Sequence, residues 1–263
     1  MALSGGGAAG VAHVPVLQAL DDLGLTPSAI AGTSMGALVG AIYASGISAA
    51  EMRDYFLHLG QRPVTHMWKI AIQGALGFSR GFATVDAEVF TDAMLPEPVP
   101  ELFEGLDIPL TVVAHDFHGR NAVGINTGAV RSGVAASLAV PGVFKPVRRS
   151  GRILIDGGIT ENLPLRFLPE VDLVLAVNVF TDPPSDSDEM PSQMETSMGA
   201  LRTMMVKNVH SAIADCKPDI LIEPDIPQLG SKSFWQVEEL MYHAEGAREQ
   251  ARVALQAALD KHG

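Results

Sequence analysis

Residues 29–36 read Ala29-Ile30-Ala31-Gly32-Thr33-Ser34-Met35-Gly36: a short apolar run, then a G-x-S-x-G element that opens a stretch of small residues. The run Ala29–Ala31 has the composition of a buried strand. Ser34–Ala44 reads as a helix in which Gly36, Ala37, Gly40, Ala41 and Ala44 let neighbouring backbone come close. A sharp strand-to-helix bend exposes a serine hydroxyl, flanking glycines remove Cβ clashes, and the helix points its amide end at developing negative charge. The spacing predicts a nucleophile at Ser34, supported by Gly32 and Gly36. A lone G-x-S-x-G is also simply a turn rich in small residues, so its surroundings must decide.

Upstream lies Ser4-Gly5-Gly6-Gly7-Ala8-Ala9-Gly10, between the apolar stub Met1–Leu3 and a helical pattern over Val11–Leu23. Successive glycines let several backbone N–H groups converge on one anionic oxygen, as an oxyanion hole requires. Gly5, Gly6, Gly7 and Gly10 are the candidates. The same glycines fit a dinucleotide fingerprint, which wants an acidic residue at the end of the next strand. Thr26–Ala31 holds none, and Gly32 of the serine element follows.

Downstream, Asp156-Gly157-Gly158 follows the apolar run Ile153–Ile155. Alone, such a D-G pair is a turn former. Here it places a carboxylate at a strand's carboxyl end, where open α/β sheets gather their chemistry. A Ser-His-Asp triad in α/β-hydrolase order needs a histidine after Asp156, and only His210, His243 and His262 qualify. His13 and His115 lie nearer the expected site in sequence, but a lone histidine is usually structural. A Ser34–Asp156 dyad is the simpler fit. It requires a partly desolvated site, because an aspartate of pKa ~3.9 is a feeble base in water.

Further apolar runs at Leu110–Ala114, Leu173–Val179 and Ile220–Ile222 alternate with helical patterns at Ser48–Leu59, Thr196–Ile213 and Val237–Leu259. Ser48 with Glu51 forms a capping box. This alternation predicts a mostly parallel sheet covered by helices on both faces. With no long linker or repeat, residues 1–263 are expected to form a single domain. Two segments break the rhythm. Gln61–Thr84 mixes Met67, Trp68, Ile72, Leu76 and Phe78 with glycines, and Thr181–Gln193 is acidic, rich in Pro and Ser, and reads as a loop. The first segment and the methionine face around Met194, Met198, Met204 and Met205 are read either as ordinary core packing or as the lining of an irregular apolar ligand site, since methionine adapts to irregular apolar partners. Ser137 and Pro141 are read as a helix end packed near the site.

Lys plus Arg number 18 against 30 Asp plus Glu, a formal charge of −12, which argues against a nucleic-acid or anionic-lipid surface. The single cysteine, Cys216, excludes an internal disulfide. No secretory signal or membrane helix is evident, so a cytoplasmic protein is expected, and any transient contact with a membrane surface would rest on apolar residues rather than on charge. No cofactor or metal is implied, because spacings such as HExxH or CxxC are absent.

The glycine loop, serine element and D-G-G together resemble the bacterial patatin-like phospholipases. The resemblance covers Leu3–Leu20, Ala31–Ala44, Leu106–Pro146, Ile155–Leu163 and Pro218–Pro224. It implies a three-layer α/β/α sandwich and hydrolysis of lipid acyl esters, phospholipid or lysophospholipid. Ser34 matches the nucleophile, Asp156 the base, and Gly5, Gly6, Gly7 and Gly10 the oxyanion loop, with Gly157 and Gly158 completing the base motif. One departure stands out: the family's loop often carries Arg or Lys before its last glycine, where this chain has Ala9. That change bears on head-group preference more than on hydrolysis, since the backbone donors remain. Acyl transfer on the same scaffold, or a non-catalytic lipid-binding regulator, are the rival readings.

Overall fold

Among the residues that the computed structural model describes (1–61, 85–181, 188, 190–226 and 237–262), eight strands make one sheet. They are β1 (Ala2–Leu3), β2 (Ile30–Thr33), β3 (Leu110–Asp116), β4 (Asn121–Ile125), β5 (Val147–Arg149), β6 (Arg152–Asp156), β7 (Leu175–Val177) and β8 (Ile220–Ile222). The helices are α1 (His13–Asp22), α2 (Met35–Ala44), α3 (Ala49–Gln61), α4 (Ala87–Met94), α5 (Val130–Leu138), α6 (Gly158–Glu161), α7 (Gln193–Cys216) and α8 (Val237–His262). The expected parallel sheet is present as β3-β2-β1-β7-β8, and β4, β5 and β6 extend it with antiparallel pairs.

Strand side chains alternate between the two faces. Leu3, Leu175 and Val177 join the main apolar core with Val14 and Leu17 of α1, Leu38 and Ile42 of α2, Met52 and Phe56 of α3, and Leu240 of α8. Ala2 and Ala176 face a smaller cluster formed with Leu163, Leu165 and α7's Val209 and Ala212. Helices therefore cover both faces of a mixed sheet, the layered arrangement the sequence suggests. The whole of α2 is buried, which explains why small residues fill it. A Cβ on Gly36 would run into the carbonyl oxygens of Leu3 and Ser4, so only glycine lets this helix start against β1.

One feature of the register builds the site. β4 occupies one edge of β3 from Val112 to Asp116. On the other edge β2 runs parallel to β3 as far as Thr33, opposite Val113. There β2 turns away at Ser34, and β6 takes over antiparallel, with Asp156 opposite Ala114. The carboxyl ends of two strands thus meet head to head along one neighbour, with Thr33 and Asp156 facing adjacent positions of β3.

The capping box at α3 forms as expected, Glu51 N–H donating to Ser48 Oγ and Ser48 N–H to Glu51 Oε2. A second one, Ser192 with Glu195, opens α7 at the end of the expected loop. Residues 62–84, which hold the expected Trp68 segment, lie outside the described residues. No helix among the described residues is long and apolar enough to cross a membrane.

Candidate active site

Ser34 sits at φ 53° and ψ −121°, backbone that a residue with a Cβ seldom adopts. Such a conformation costs of order 1–3 kcal/mol and persists where the surroundings impose it. Here the Ser34 N–H donates to Ser137 Oγ at 2.7 Å, and that hydroxyl donates onward to the Val113 carbonyl. Ser137, at the last turn of α5, therefore braces the bend from the side of β3. Thr33 Oγ1 ties the end of β2 to the carbonyl of Glu161.

The bend aims the Ser34 hydroxyl at the neighbouring strand end. Its Oγ donates to Asp156 Oδ2 at 2.7 Å, and Gly158 N–H donates to Asp156 Oδ1 at 2.7 Å. Asp156 is 2% exposed and Ser34 5%. Burial pushes the Asp156 carboxyl up to about 6, and the two hydrogen bonds offset only part of that rise. The carboxylate is thus a stronger base than one in water and still ionised at neutral pH. Gly157 packs under Val113, and Gly32 against the backbone of Gly36 and Ala37, so both serve close approach around the bend.

The glycine loop lies alongside. Gly7, at φ 54°, starts a 3-10 turn over Gly7–Ala12 that leads into α1. The Gly5 N–H is already donated to the Asn162 carbonyl at 3.0 Å, whereas no described acceptor takes the N–H of Gly6 or Gly7. Gly10 abuts Met35, the residue after Ser34. Of the expected oxyanion group, then, Gly6 and Gly7 have donors with no acceptor among the described residues, while Gly5 and Gly10 fix the loop's path.

The histidines stand apart. His13 is fully buried beneath the loop, where its Nε2–H donates to the Ser4 carbonyl at 2.9 Å. Burial lowers its pKa to about 4, so it is neutral and holds the strand end that feeds the loop. His115 pairs with Thr160 Oγ1, and His210 and His243 are exposed on α7 and α8. No histidine among the described residues hydrogen-bonds Ser34 or Asp156. Nor is any group of His, Cys, Asp or Glu among them placed to hold a metal ion.

Asn162 and Glu161 also belong to the site, though neither carries a motif of its own. Glu161 is buried, with its carboxylate 3.0 and 2.9 Å from Arg166 Nη1, and Arg166 also reaches Asp215 at 2.6 Å. The network pins α6, and hence Asp156, to α7. The available signal was proximity: both residues follow Asp156-Gly157-Gly158 within one short turn.

A family model described as patatin-like phospholipase matches residues 1–169. An uncharacterized NTE family protein of Mycobacterium bovis is 38% identical over 181 residues, 68% of this chain and 48% of the relative. The chain thus spans about half the length of that relative. The lysophospholipase nte1 of Aspergillus fumigatus is 27% identical over 68% of this chain and 12% of its own length. Among solved structures, VipD from Legionella pneumophila aligns with a TM-score of 0.48 at 14% identity, over 95% of this chain and 66% of that one.

Proposed function

The chain belongs to the patatin-like phospholipase family, and on that premise we propose that it is a serine hydrolase of lipid acyl esters, acting through a Ser34–Asp156 dyad. The observation that carries this reading is the 2.7 Å bond from a strained, buried serine hydroxyl to a carboxylate whose basicity burial has raised. Asp156 takes the Ser34 proton as Oγ attacks the acyl carbonyl. The N–H groups of Gly6 and Gly7, with that of Met35 at the start of α2, receive the negative charge on the carbonyl oxygen. As the tetrahedral species collapses, Asp156 passes its proton to the departing alcohol, leaving Ser34 acylated. Water then gives a proton to Asp156 and attacks the acyl group. The carboxylic acid departs and Ser34 recovers its proton. Every step uses groups within the site, and no metal or organic cofactor is needed.

The Ser34→Ala variant is expected to keep its fold and lose turnover of a p-nitrophenyl acyl ester. It removes the nucleophile but very little buried volume. A fluorophosphonate probe should label the wild-type chain at Ser34 and leave the variant unlabelled. Equal ester turnover by the two proteins would end the serine assignment, and a folded wild-type chain that resists the probe would favour a non-catalytic lipid binder.

A further inference from the structure

Asn162 is completely buried at the end of α6, one short turn after Asp156. Its main-chain oxygen accepts from Gly5 N–H at 3.0 Å, and its Nδ2 faces the Gly5 carbonyl at 3.5 Å. Both polar groups of a glycine 157 positions away in sequence are therefore held by one residue. Asn162 is itself held from α7: its N–H donates to Asn208 Oδ1 at 3.1 Å, while Asn208 Nδ2 donates to the Gly158 carbonyl at 2.8 Å.

The remaining atom is the unusual one. Asn162 Oδ1 is buried with no hydrogen-bond partner among the described residues. It is wedged between the two glycines on which the site turns. A Cβ on Gly5 would stand 2.5 Å from it and 3.1 Å from Ser34 Cβ. A Cβ on Gly158 would stand 2.7 Å from it and 2.9 Å from Asp156 Oδ1. A buried acceptor without a donor is costly, and an apolar side chain would avoid that cost. The amide thus keeps one contact, Nδ2 to the Gly5 carbonyl, at the cost of an unpaired oxygen.

We propose that Asn162 is a positioning residue for acyl transfer, a strut that sets the glycine loop against the nucleophile and base. Its main chain and Nδ2 fix Gly5, and so fix where the next two amides, Gly6 and Gly7, present their N–H groups. Its unpaired oxygen spaces the loop from the Asp156 turn. This rests on the Ser34–Asp156 reading, so Ser34→Ala accompanies each measurement as a control.

The experiment compares the pH profile of kcat and KM for a short p-nitrophenyl ester in wild type, Asn162→Ala and Asn162→Asp. For Asn162→Ala, kcat should fall 10- to 100-fold while KM changes less than threefold, because misplaced donors weaken binding of the transition state and not of the ester. Asn162→Asp keeps the shape but sets a second carboxylate beside Asp156. Like charges disfavour ionisation, so the acid limb of its profile should move up by about one pH unit. Wild-type kcat in Asn162→Ala would overturn the proposal. If that variant does not fold, Asn162→Asp decides: an unmoved acid limb with unchanged kcat would overturn it equally. Should Ser34→Ala retain full activity, the dyad reading fails instead, which is a separate outcome.

Discussion

At the scale of single residues, Asp156 is where activity and stability pull apart. Burial holds its carboxyl at about 6 in the folded chain, against ~3.9 in an unfolded one. Between those values the folded state binds the proton more tightly. Its contribution to stability is therefore fully present below the unfolded value and is lost as pH rises to about 6. Above that, the ionised carboxylate costs the fold about 3 kcal/mol. The proposed dyad needs that same ionised form, so kcat/KM should fall as pH drops through about 6, with an acid limb of unit slope. Asp156→Asn should lose activity ~10²–10⁴-fold. It should also raise the Tm by roughly 5 °C at pH 8, since a neutral amide escapes the desolvation cost. At pH 4 the gain should vanish, because wild-type Asp156 is then protonated. Thermal melts of both proteins at the two pH values test this, and a variant that melts no later than wild type at pH 8 refutes it.

At the scale of elements, α7 splits into two halves. Its second half buries Val209 and Ala212 against the sheet, whereas Met198, Leu201 and Met205 in the first half are only partly covered and Met204 is exposed. The Met205 methyl lies against Gly158, two residues after Asp156. An apolar stripe at helical spacing thus leads away from the Asp156 turn, and on the proposed lipid-ester hydrolysis we predict that this face holds the acyl chain. Met198→Ser with Met205→Ser should raise KM at least tenfold for a long-chain ester and less than twofold for a short one. Equal losses on both chain lengths would mark the stripe as structural. This element also shows what a sequence can disclose. The serine bend, the glycine loop, the capping box at α3 and the long helices were legible, because each depends on neighbours within a turn or two. β4 was not, since most of its residues are exposed or half-exposed and it carries no apolar signature. Three-residue β5 gave as little to read. The docking of β6 where β2 leaves β3, and the grip of Asn162 on Gly5, join distant residues and have no local pattern. The sequence pattern therefore pointed to Ser34 and Asp156, which the structure brings within hydrogen-bond distance, and long-range register supplied the residues that hold them.

At the scale of the whole molecule, the family match ends at residue 169, yet the packing does not. β1 carries the glycine loop and pairs on one edge with β2 and on the other with β7, whose residues lie past that limit. Leu240, Met241, Ala244, Ala247, Ala251 and Leu255 of α8 belong to the same core cluster as Val14 and Leu17 of α1 and Leu3 of β1. Asn208, which braces Asn162, also comes from the later part. A chain cut at residue 169 would expose one edge of β1 and the apolar face of α1, and unpaired edges and bared cores do not sustain a cooperative fold. We therefore expect residues 1–263 to unfold in one transition, seen alike by far-UV circular dichroism and by loss of esterase activity. Residues 1–169 alone should show no cooperative melt and no fluorophosphonate labelling. A subtler variant separates one unit from two without a truncation. Leu240→Ala removes a side chain that is 1% exposed, at a cost of about 2–5 kcal/mol. If α8 is integral to the core, that loss lowers the temperature at which activity disappears by as much as it lowers the circular dichroism midpoint. Were α8 an appended module, activity would survive to the wild-type temperature while the helical signal melted early, and the single-domain assignment would have to be abandoned.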